Sequence, residues 1–390
     1  MQLRIPDSKE KVKGGNVLWQ NVTAIVAEYG MQCFFGLLVT FLMIKTFFPS
    51  LCSSFGITLC LGFELGPGQA YSIASVWDHM GIFPGAGSVG LTMAAIGFVV
   101  GSIGGVILIN RAAHKGWISQ EYVEKLRNRG VRKGFVQKGE ERKIGSYQTT
   151  DGESIDGFSF HLALIFFTYF LSSLFLYGLE WVLVKLAGNT GASLAESLWG
   201  INFIFSAFAA VVVRKIICAL HIEHIIDNHT CNRIDGLTVD LTVASCLGAI
   251  QLASLSGYVV PIIILVLVGI FITCVITPWF CSRLFSDHQF FRLLMIFGTA
   301  NGTLPTALSL IRVVDPDFET PVASDYVYST GIMFFLAIPI ILCVNLPANG
   351  HFWLFVGLTG LYTLGALIAY IALAKKKAFK KTGTFFYMGE

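Results

Sequence analysis

Charged residues are scarce in this sequence of 390 residues. Only 13% of the chain is Asp, Glu, Lys or Arg, about half the share expected of a soluble domain. Hydrophobic residues make up 54%, with 33 phenylalanines, and the mean hydropathy is +0.69. Several apolar runs exceed the ~20 residues that cross the hydrocarbon core of a bilayer. The composition therefore excludes a soluble globular domain and predicts an all-α polytopic membrane protein surrounded by lipid, without a nucleic-acid partner.

The chain also lacks the motifs of common catalytic and metal sites. HExxH, GxSxG and CxxC do not occur, and no two acids have the spacing of a catalytic pair. The nine cysteines are irregularly spaced, so we interpret them as reduced apolar side chains. In HIEHIIDNHTC, His221, His224, His229 and Cys231 could ligate a metal, but a polar loop between helices is the simpler interpretation. We therefore predict no enzyme, no resident metal and no cofactor.

Eight apolar segments are long enough to span a membrane. They lie at about 22–48, 86–110, 159–186, 197–220, 236–258, 259–284, 326–346 and 352–374. Lys and Arg cluster in the N-terminal segment, in 111–143 and in the tail, and such clusters stay in the cytoplasm. Eight spans place both termini and the 111–158 loop on that side. The sequence therefore predicts a multi-pass protein of the cell (inner) membrane with cytoplasmic N- and C-termini.

Two polar stretches interrupt this pattern, GFELGPGQAYSIAS and GTANGTLPTALS. Each has glycines four residues apart, Gly62 and Gly66 in the first and Gly298 and Gly302 in the second, with a proline nearby. The preceding spans run in opposite directions, so the stretches are predicted to enter the membrane as re-entrant loops from opposite faces. Broken backbone at membrane depth is tolerated when buried in protein or lining a wet cavity, and inverted repeats with broken helices are typical of secondary transporters. Alternatively, the glycines serve packing and the prolines only kink helices.

Acidic residues at membrane depth are candidate binding groups, because burying a carboxylate is costly. Asp240 lies near the hydroxyl groups of Thr238 and Thr242, and these oxygens suit a hard cation such as sodium. The alternative is a hydrated Asp240 at the inner interface. Glu64 belongs to the first polar stretch and is a candidate for lining its cavity. Glu28 comes early in its span, so we interpret it as a surface acid that reaches towards water.

At the two polar stretches the sequence resembles the bacterial glutamate:sodium symporters. GPGQA followed by a tryptophan and then GLTMAAIGFVVGSIGG resembles that family's first glycine-rich loop and its following helix, and GTANGTLPTALSLIRVVDP resembles the second loop. The resemblance covers Gly14–Leu346. It implies two inverted five-helix repeats, each with a re-entrant loop, and sodium-driven uptake of glutamate. The residues implied for binding are Gly66, Gly68, Gln69 and Ser72 in the first loop, and Gly298, Asn301, Gly302, Thr303 and Thr306 in the second.

The sequence departs from that family in three ways. The first loop reads Gly-Pro-Gly where better-known members have a GGHGTG-like run, an extra helix occupies 352–374, and one helix precedes the first loop where the family has four. We therefore expect helices one to three of the first repeat to be absent. The predicted parts are a cytoplasmic segment 1–21, a truncated repeat 22–110, a cytoplasmic loop 111–158, a five-helix repeat 159–346, and an extra helix with a basic tail 347–390.

Several functions remain open on this sequence. The leading prediction is sodium-coupled symport of glutamate or a related acidic amino acid, with sodium as the coupling ion. A chain without three helices could instead be a non-transporting remnant, or a half-transporter that needs a partner chain. An ion channel with two pore loops is a further alternative, and a homo-oligomer is compatible with each of them.

Overall fold

In a computed structural model, the structure describes residues 15–118, 145–200, 202–250, 255–285, 287–315 and 320–373. The regular elements of these residues are helical, and no strand occurs among them. We label the longer helices α1 (Gly15–Thr46), α2 (Ser53–Leu65), α3 (Pro67–His79), α4 (Ala86–Lys115), α5 (Gly157–Gly200), α6 (Asn202–Ala219), α7 (Asn228–Ala249), α8 (Val259–Leu284), α9 (Gln289–Ala300), α10 (Leu304–Val314), α11 (Val322–Leu342) and α12 (Phe352–Leu373). The basic residues of the predicted tail lie outside the described residues.

Five of the described helices are long and apolar enough to cross a membrane. They are α1 from Asn16, α4, the first 32 residues of α5 (Gly157–Gly188), α8 and α12. The two halves of α11, which bend by 41°, form a sixth if they count as one span. The sequence predicted eight spans. Six of them correspond to these five helices and α11, and the other two correspond to α6 and α7, which are not among the helices that meet both criteria. In α7 the acids and the arginine before Leu241 reduce the apolar character. The chain fits a multi-pass membrane protein.

The outer surfaces of these helices are apolar, as lipid contact requires. Large hydrophobic side chains are exposed along one side of α8 and of α12: Val259, Val260, Ile263, Leu267, Phe271 and Val275 in α8, and Trp353, Leu361, Leu364, Ile368 and Ile371 in α12. Exposed apolar stripes of this size mark a membrane or protein interface. Polar side chains such as Glu28, Gln32 and Thr40 of α1 are instead buried. These polar groups of α1 therefore face the protein interior.

The chain divides into two compact units. Among the described residues, the smaller unit comprises 145–200 and 202–245, and the larger unit comprises 15–118, 246–250, 255–285, 287–315 and 320–373. The smaller unit contains α5, α6 and most of α7, and its core includes Val213, Ile217 and Cys231. The larger unit contains the remaining helices and both polar stretches of the sequence.

In the smaller unit, Asp227 starts α7. Its carboxylate accepts hydrogen bonds from the Thr230 N–H (2.9 Å) and hydroxyl (2.6 Å), which satisfies a free amide of the first turn. The Asp227 N–H donates to Nε2 of His161 at 2.8 Å, which ties α7 to α5. Partial burial acts to raise the pKa of Asp227, but the hydrogen bonds from Thr230 and neighbouring amides outweigh it and lower the pKa. The HIEHIIDNHTC segment is thus a helix connection with an ionised cap.

In the larger unit, α1 and α4 carry the packing. Helix α1 contacts α12, α11, α2 and α8, and α4 contacts α2, α3, α9 and α10. Small residues allow these close contacts, as expected for helices in lipid. A Cβ atom added at Gly90 would lie 2.8 Å from the Ala70 carbonyl oxygen, and one added at Gly105 would lie 2.5 Å from a methyl group of Leu310. The glycine-rich face of α4 therefore accepts α3 on one part and α10 on another.

Candidate functional site

The first polar stretch contains a helix break at Gly66. Helix α2 ends in a π-helical turn, Leu61–Leu65, and α3 begins directly at Pro67. Gly66 has φ 85° and ψ 177°, a conformation that is essentially confined to glycine. Proline suits the first position of α3 because it has no N–H to leave unbonded there. The sequence Gly-Pro-Gly thus ends one helix and starts the next within a single residue.

The second polar stretch forms a break of three residues between α9 and α10. Asn301 leaves the helix, Thr303 is extended with φ −147° and ψ 173°, and Pro305 occupies the first turn of α10. The two helices pack against each other. A Cβ atom added at Gly298 would lie 2.5 Å from the Cα atom of Ala307, so this contact requires glycine. Helices α9 and α10 are therefore a closely packed pair with the break at their junction.

The two breaks meet inside the larger unit. A Cβ atom added at Gly66 would lie 2.5 Å from the Thr303 methyl group and 3.9 Å from the Gly302 carbonyl oxygen. Helix α4 supports this meeting point through two glycines. A Cβ atom at Gly97 would lie 2.9 Å from the Asn301 carbonyl oxygen, and one at Gly101 would lie 3.2 Å from the Asn301 Cβ. Residues almost 240 positions apart in the sequence are thus in van der Waals contact.

The meeting point joins helix ends of both polarities. Helices α3 and α10 start there, and no side chain caps either N-terminus. Helices α2 and α9 end there. Free N–H groups at a helix N-terminus carry partial positive charge and bind anions, while carbonyl groups at a C-terminus carry partial negative charge. The arrangement can therefore bind a carboxylate and a cation side by side.

The structure brings most of the predicted binding residues to this point. Gly66, Asn301 and Gly302 are buried at the contact, and Thr303 touches Gly66. The Gln69 amide oxygen is 3.9 Å from a Cβ atom added at Gly66. Two further members of that set lie in first turns of helices: Gly68, which is exposed, in α3, and Thr306 in α10. Gly298 holds α9 against α10. Ser72 lies about 8 Å along α3 from Pro67.

Asp240, the predicted sodium ligand, belongs to the smaller unit. Its side chain is exposed on α7. The nearby hydroxyls of Thr238 and Thr242 donate to backbone carbonyl groups of their own helix, Ile234 at 2.8 Å and Thr238 at 2.7 Å. The described contacts of this segment are therefore those of an ordinary helix surface.

The buried polar groups of α1 were not among the predicted binding residues. Glu28 is only 2% exposed, so its interpretation as a surface acid is wrong. The Thr277 hydroxyl lies 2.7 Å from the Glu28 carboxyl group, and the Gln32 amide nitrogen donates to the Ala300 carbonyl oxygen at 3.0 Å. Glu28 and Gln32 are four residues apart, hence on one helix face. This four-residue spacing is visible in the sequence and could have indicated a shared polar face. The contacts of Glu28 and Gln32 with residues about 250 positions away are not visible in it.

An ion pair anchors the start of α9. Arg292 is 1% exposed and bonds to Asp287 and Asp325 at 3.0 Å each. Partial burial acts to raise the pKa of Asp287, but the hydrogen bonds and charge of Arg292 outweigh it and hold the pKa below its usual value. The pair holds the end of α9 that lies away from the break.

Among the described residues, no group of three or more His, Cys, Asp and Glu side chains is arranged to hold a metal ion. Comparisons of the chain with protein families, with curated proteins and with solved structures find no match.

Proposed function

We propose that this protein is a secondary transporter whose solute binds where the two helix breaks meet. The observation that carries the proposal is the contact of Gly66 with Gly302 and Thr303, with one uncapped helix N-terminus on each side. Broken helices within a bundle of apolar spans expose backbone hydrogen-bonding groups where a solute must lose its water. An ordinary packing contact does not require two helix starts at one buried point.

The chemistry of the breaks favours an anionic solute. Two helix N-termini present N–H groups and partial positive charge, which suit a carboxylate. The Gln69 amide and the hydroxyls of Thr303 and Thr306 add side-chain hydrogen-bonding groups beside them. Together with the resemblance to the glutamate:sodium symporters, this supports glutamate or a related acidic amino acid as the solute and sodium as the coupling ion.

The finer architecture belongs to the same proposal. In it, the two breaks are re-entrant loops of inverted repeats in the cell (inner) membrane, reached from opposite faces, with cytoplasmic termini. The matching glycine spacing of the two stretches, each with a proline nearby, and the distribution of Lys and Arg support this arrangement.

Uptake into proteoliposomes tests the function. The purified chain is reconstituted, and radiolabelled glutamate is supplied with an inward sodium gradient or with choline in its place. We expect accumulation above the external concentration with sodium alone, and competition by unlabelled acidic amino acids. Equilibration without accumulation would favour a channel. No entry of glutamate into vesicles that contain folded protein would reject the transporter.

A further inference from the structure

Two carboxyl groups lie inside the larger unit without a basic partner. Glu28 is 2% and Glu64 is 6% exposed, and the two are close enough to interact electrostatically. Among the described residues, no lysine or arginine forms an ion pair with either of them. The buried Arg292 pairs with two aspartates instead. Buried charges are normally paired or bound to an ion. This carboxyl pair therefore needs protons or a cation to balance it.

Hydrogen-bond donors are also in short supply around Glu28. The Thr277 hydroxyl is 2.7 Å from one Glu28 oxygen and 3.0 Å from the Ile272 carbonyl oxygen, which a π-helical turn, Ile272–Ile276, places within reach. A hydroxyl has one proton, so it cannot fully serve both acceptors. Gln32 lies beside the same carboxyl group, and one of its two amide N–H groups donates to Ala300. The second Glu28 oxygen has no partner.

The same excess of acceptors extends to the breaks. The Gln32 amide oxygen, one Glu64 oxygen and the Asn301 amide oxygen are buried and have no hydrogen-bond partner. The Asn301 amide nitrogen donates to the Phe297 carbonyl oxygen at 2.8 Å, which leaves the oxygen as the free group. Unpaired buried oxygens each cost about 1–3 kcal/mol. These oxygens need a bound species that accepts electron pairs.

Contacts and neighbouring positions in the chain connect these groups. Glu28 lies beside Gln32, Gln32 bonds to Ala300, and Asn301 follows Ala300 in the chain. Glu64 is two residues before Gly66, which touches Gly302 and Thr303. Buried carboxylate, amide and carbonyl oxygens from α1, α2 and the end of α9 thus lie near the breaks.

We propose that Glu28, Gln32, Glu64 and the Ala300–Asn301 corner form a buried site for a hard monovalent cation, with sodium as the probe. Oxygen ligands of these kinds prefer hard cations. One carboxylate balances the charge of the cation.

Only the role of this cation in coupling rests on the proposed transport function; its binding does not. The test is binding of ²²Na⁺ to the detergent-solubilised full chain, with thermal unfolding in NaCl or choline chloride. We expect saturable binding and a rise in Tm of about 3 °C in NaCl. If sodium binds but glutamate is not carried, the transport proposal fails and the site stands.

Variants assign the site. Glu28→Gln and Glu64→Gln should each weaken ²²Na⁺ binding at least tenfold, whereas Asp78→Asn, at an exposed acid of the same unit, should bind as the wild type. If Glu28→Gln does not fold, Gln32→Met tests the neighbouring ligand and should also weaken binding tenfold. The proposal is overturned if the folded wild type binds no sodium, if both glutamine variants bind it normally, or if calcium binds in its place.

Discussion

The two helix breaks have similar sequences and different constructions. At the first break a single glycine with positive φ separates α2 from α3, and α3 packs mainly along α4. At the second break three residues separate α9 from α10, and these helices pack on each other through Gly298. The same glycine spacing with a proline nearby therefore gives one break that depends on a backbone conformation and another that depends on a helix contact. Substitutions should damage the two by different mechanisms.

The largest effect is expected at the first break. Gly66→Ala puts a side chain on a backbone with φ 85° and ψ 177°, and the added Cβ would lie 2.5 Å from the Thr303 methyl group. The conformational cost and the overpacking together should lower the free energy of unfolding by about 3 kcal/mol and abolish glutamate uptake. Thermal unfolding by circular dichroism and the vesicle assay measure the two effects.

The matched control is Gly68→Ala, two residues further along. Gly68 has no atom within 4 Å of an added Cβ and is exposed in the first turn of α3. Its substitution should change stability by less than about 0.5 kcal/mol. Equal losses in the two variants would mean that the first break does not depend on the conformation of Gly66.

At the second break the expected damage comes from packing. Gly298→Val should force α9 and α10 apart, because the added Cβ would lie 2.5 Å from the Ala307 Cα. We expect a loss of about 2 kcal/mol, the usual range for overpacking. Gly357→Ala in α12, with open space around the glycine, should instead gain up to about 1 kcal/mol from helix propensity. A Gly298→Val variant as stable as the wild type would contradict the close contact.

A charged anchor is a further difference between the breaks. Asp287 holds Arg292 at the start of α9, and α2 has no acidic residue in its first turn. Because the folded state lowers the pKa of Asp287 below its usual value of 3.8, the ionised form stabilises the fold above that pH. This contribution is lost as the pH falls through the lower pKa of the folded state.

Asp287→Asn should therefore lower stability at pH 7 by about 1 kcal/mol, a value reduced by the 40% exposure of the Asp287 side chain. The difference between the variant and the wild type should shrink as the pH drops below 3.8. Thermal unfolding of both proteins at pH 7 and at the lowest pH that keeps them soluble measures it. A difference that is independent of pH would mean that the carboxylate charge does not act here.

Local chemistry made the breaks predictable from sequence. Gly66 followed directly by Pro67 ends α2 through the backbone alone, and Gly302 and Pro305 lie at the break between α9 and α10, so no knowledge of distant contacts was needed to expect a break at either place. The membrane class was equally accessible, because length and apolarity of a helix are local properties. The number of spans was harder to predict from the sequence. Helix α7 forms as expected, but its first half is polar and it is not among the helices apolar enough to cross a membrane.

Partners across the fold could not be predicted. Glu28 and Thr277 are 249 residues apart, and Gln32 and Ala300 are 268 apart. Which helix lies against which depends on packing in three dimensions, so a sequence pattern shows a polar face on α1 but not what it meets. The error about Glu28 follows directly, because its burial depends on α8.

The smallest effect on stability should come from Thr303→Val. The Thr303 hydroxyl is buried and has no hydrogen-bond partner, while its methyl group contacts Gly66. Valine keeps the branched shape and removes only the hydroxyl, so stability should change by less than about 0.5 kcal/mol or rise slightly. If the hydroxyl donates to the solute carboxylate, glutamate affinity should fall about tenfold, since a hydrogen bond to a charged group contributes about 1.5–3 kcal/mol. Thr299→Val, whose hydroxyl donates to Met295 at 3.0 Å one turn earlier in α9, should leave affinity unchanged. Equal affinity in the wild type and both variants would remove Thr303 from the solute site and leave the second break with a packing role only.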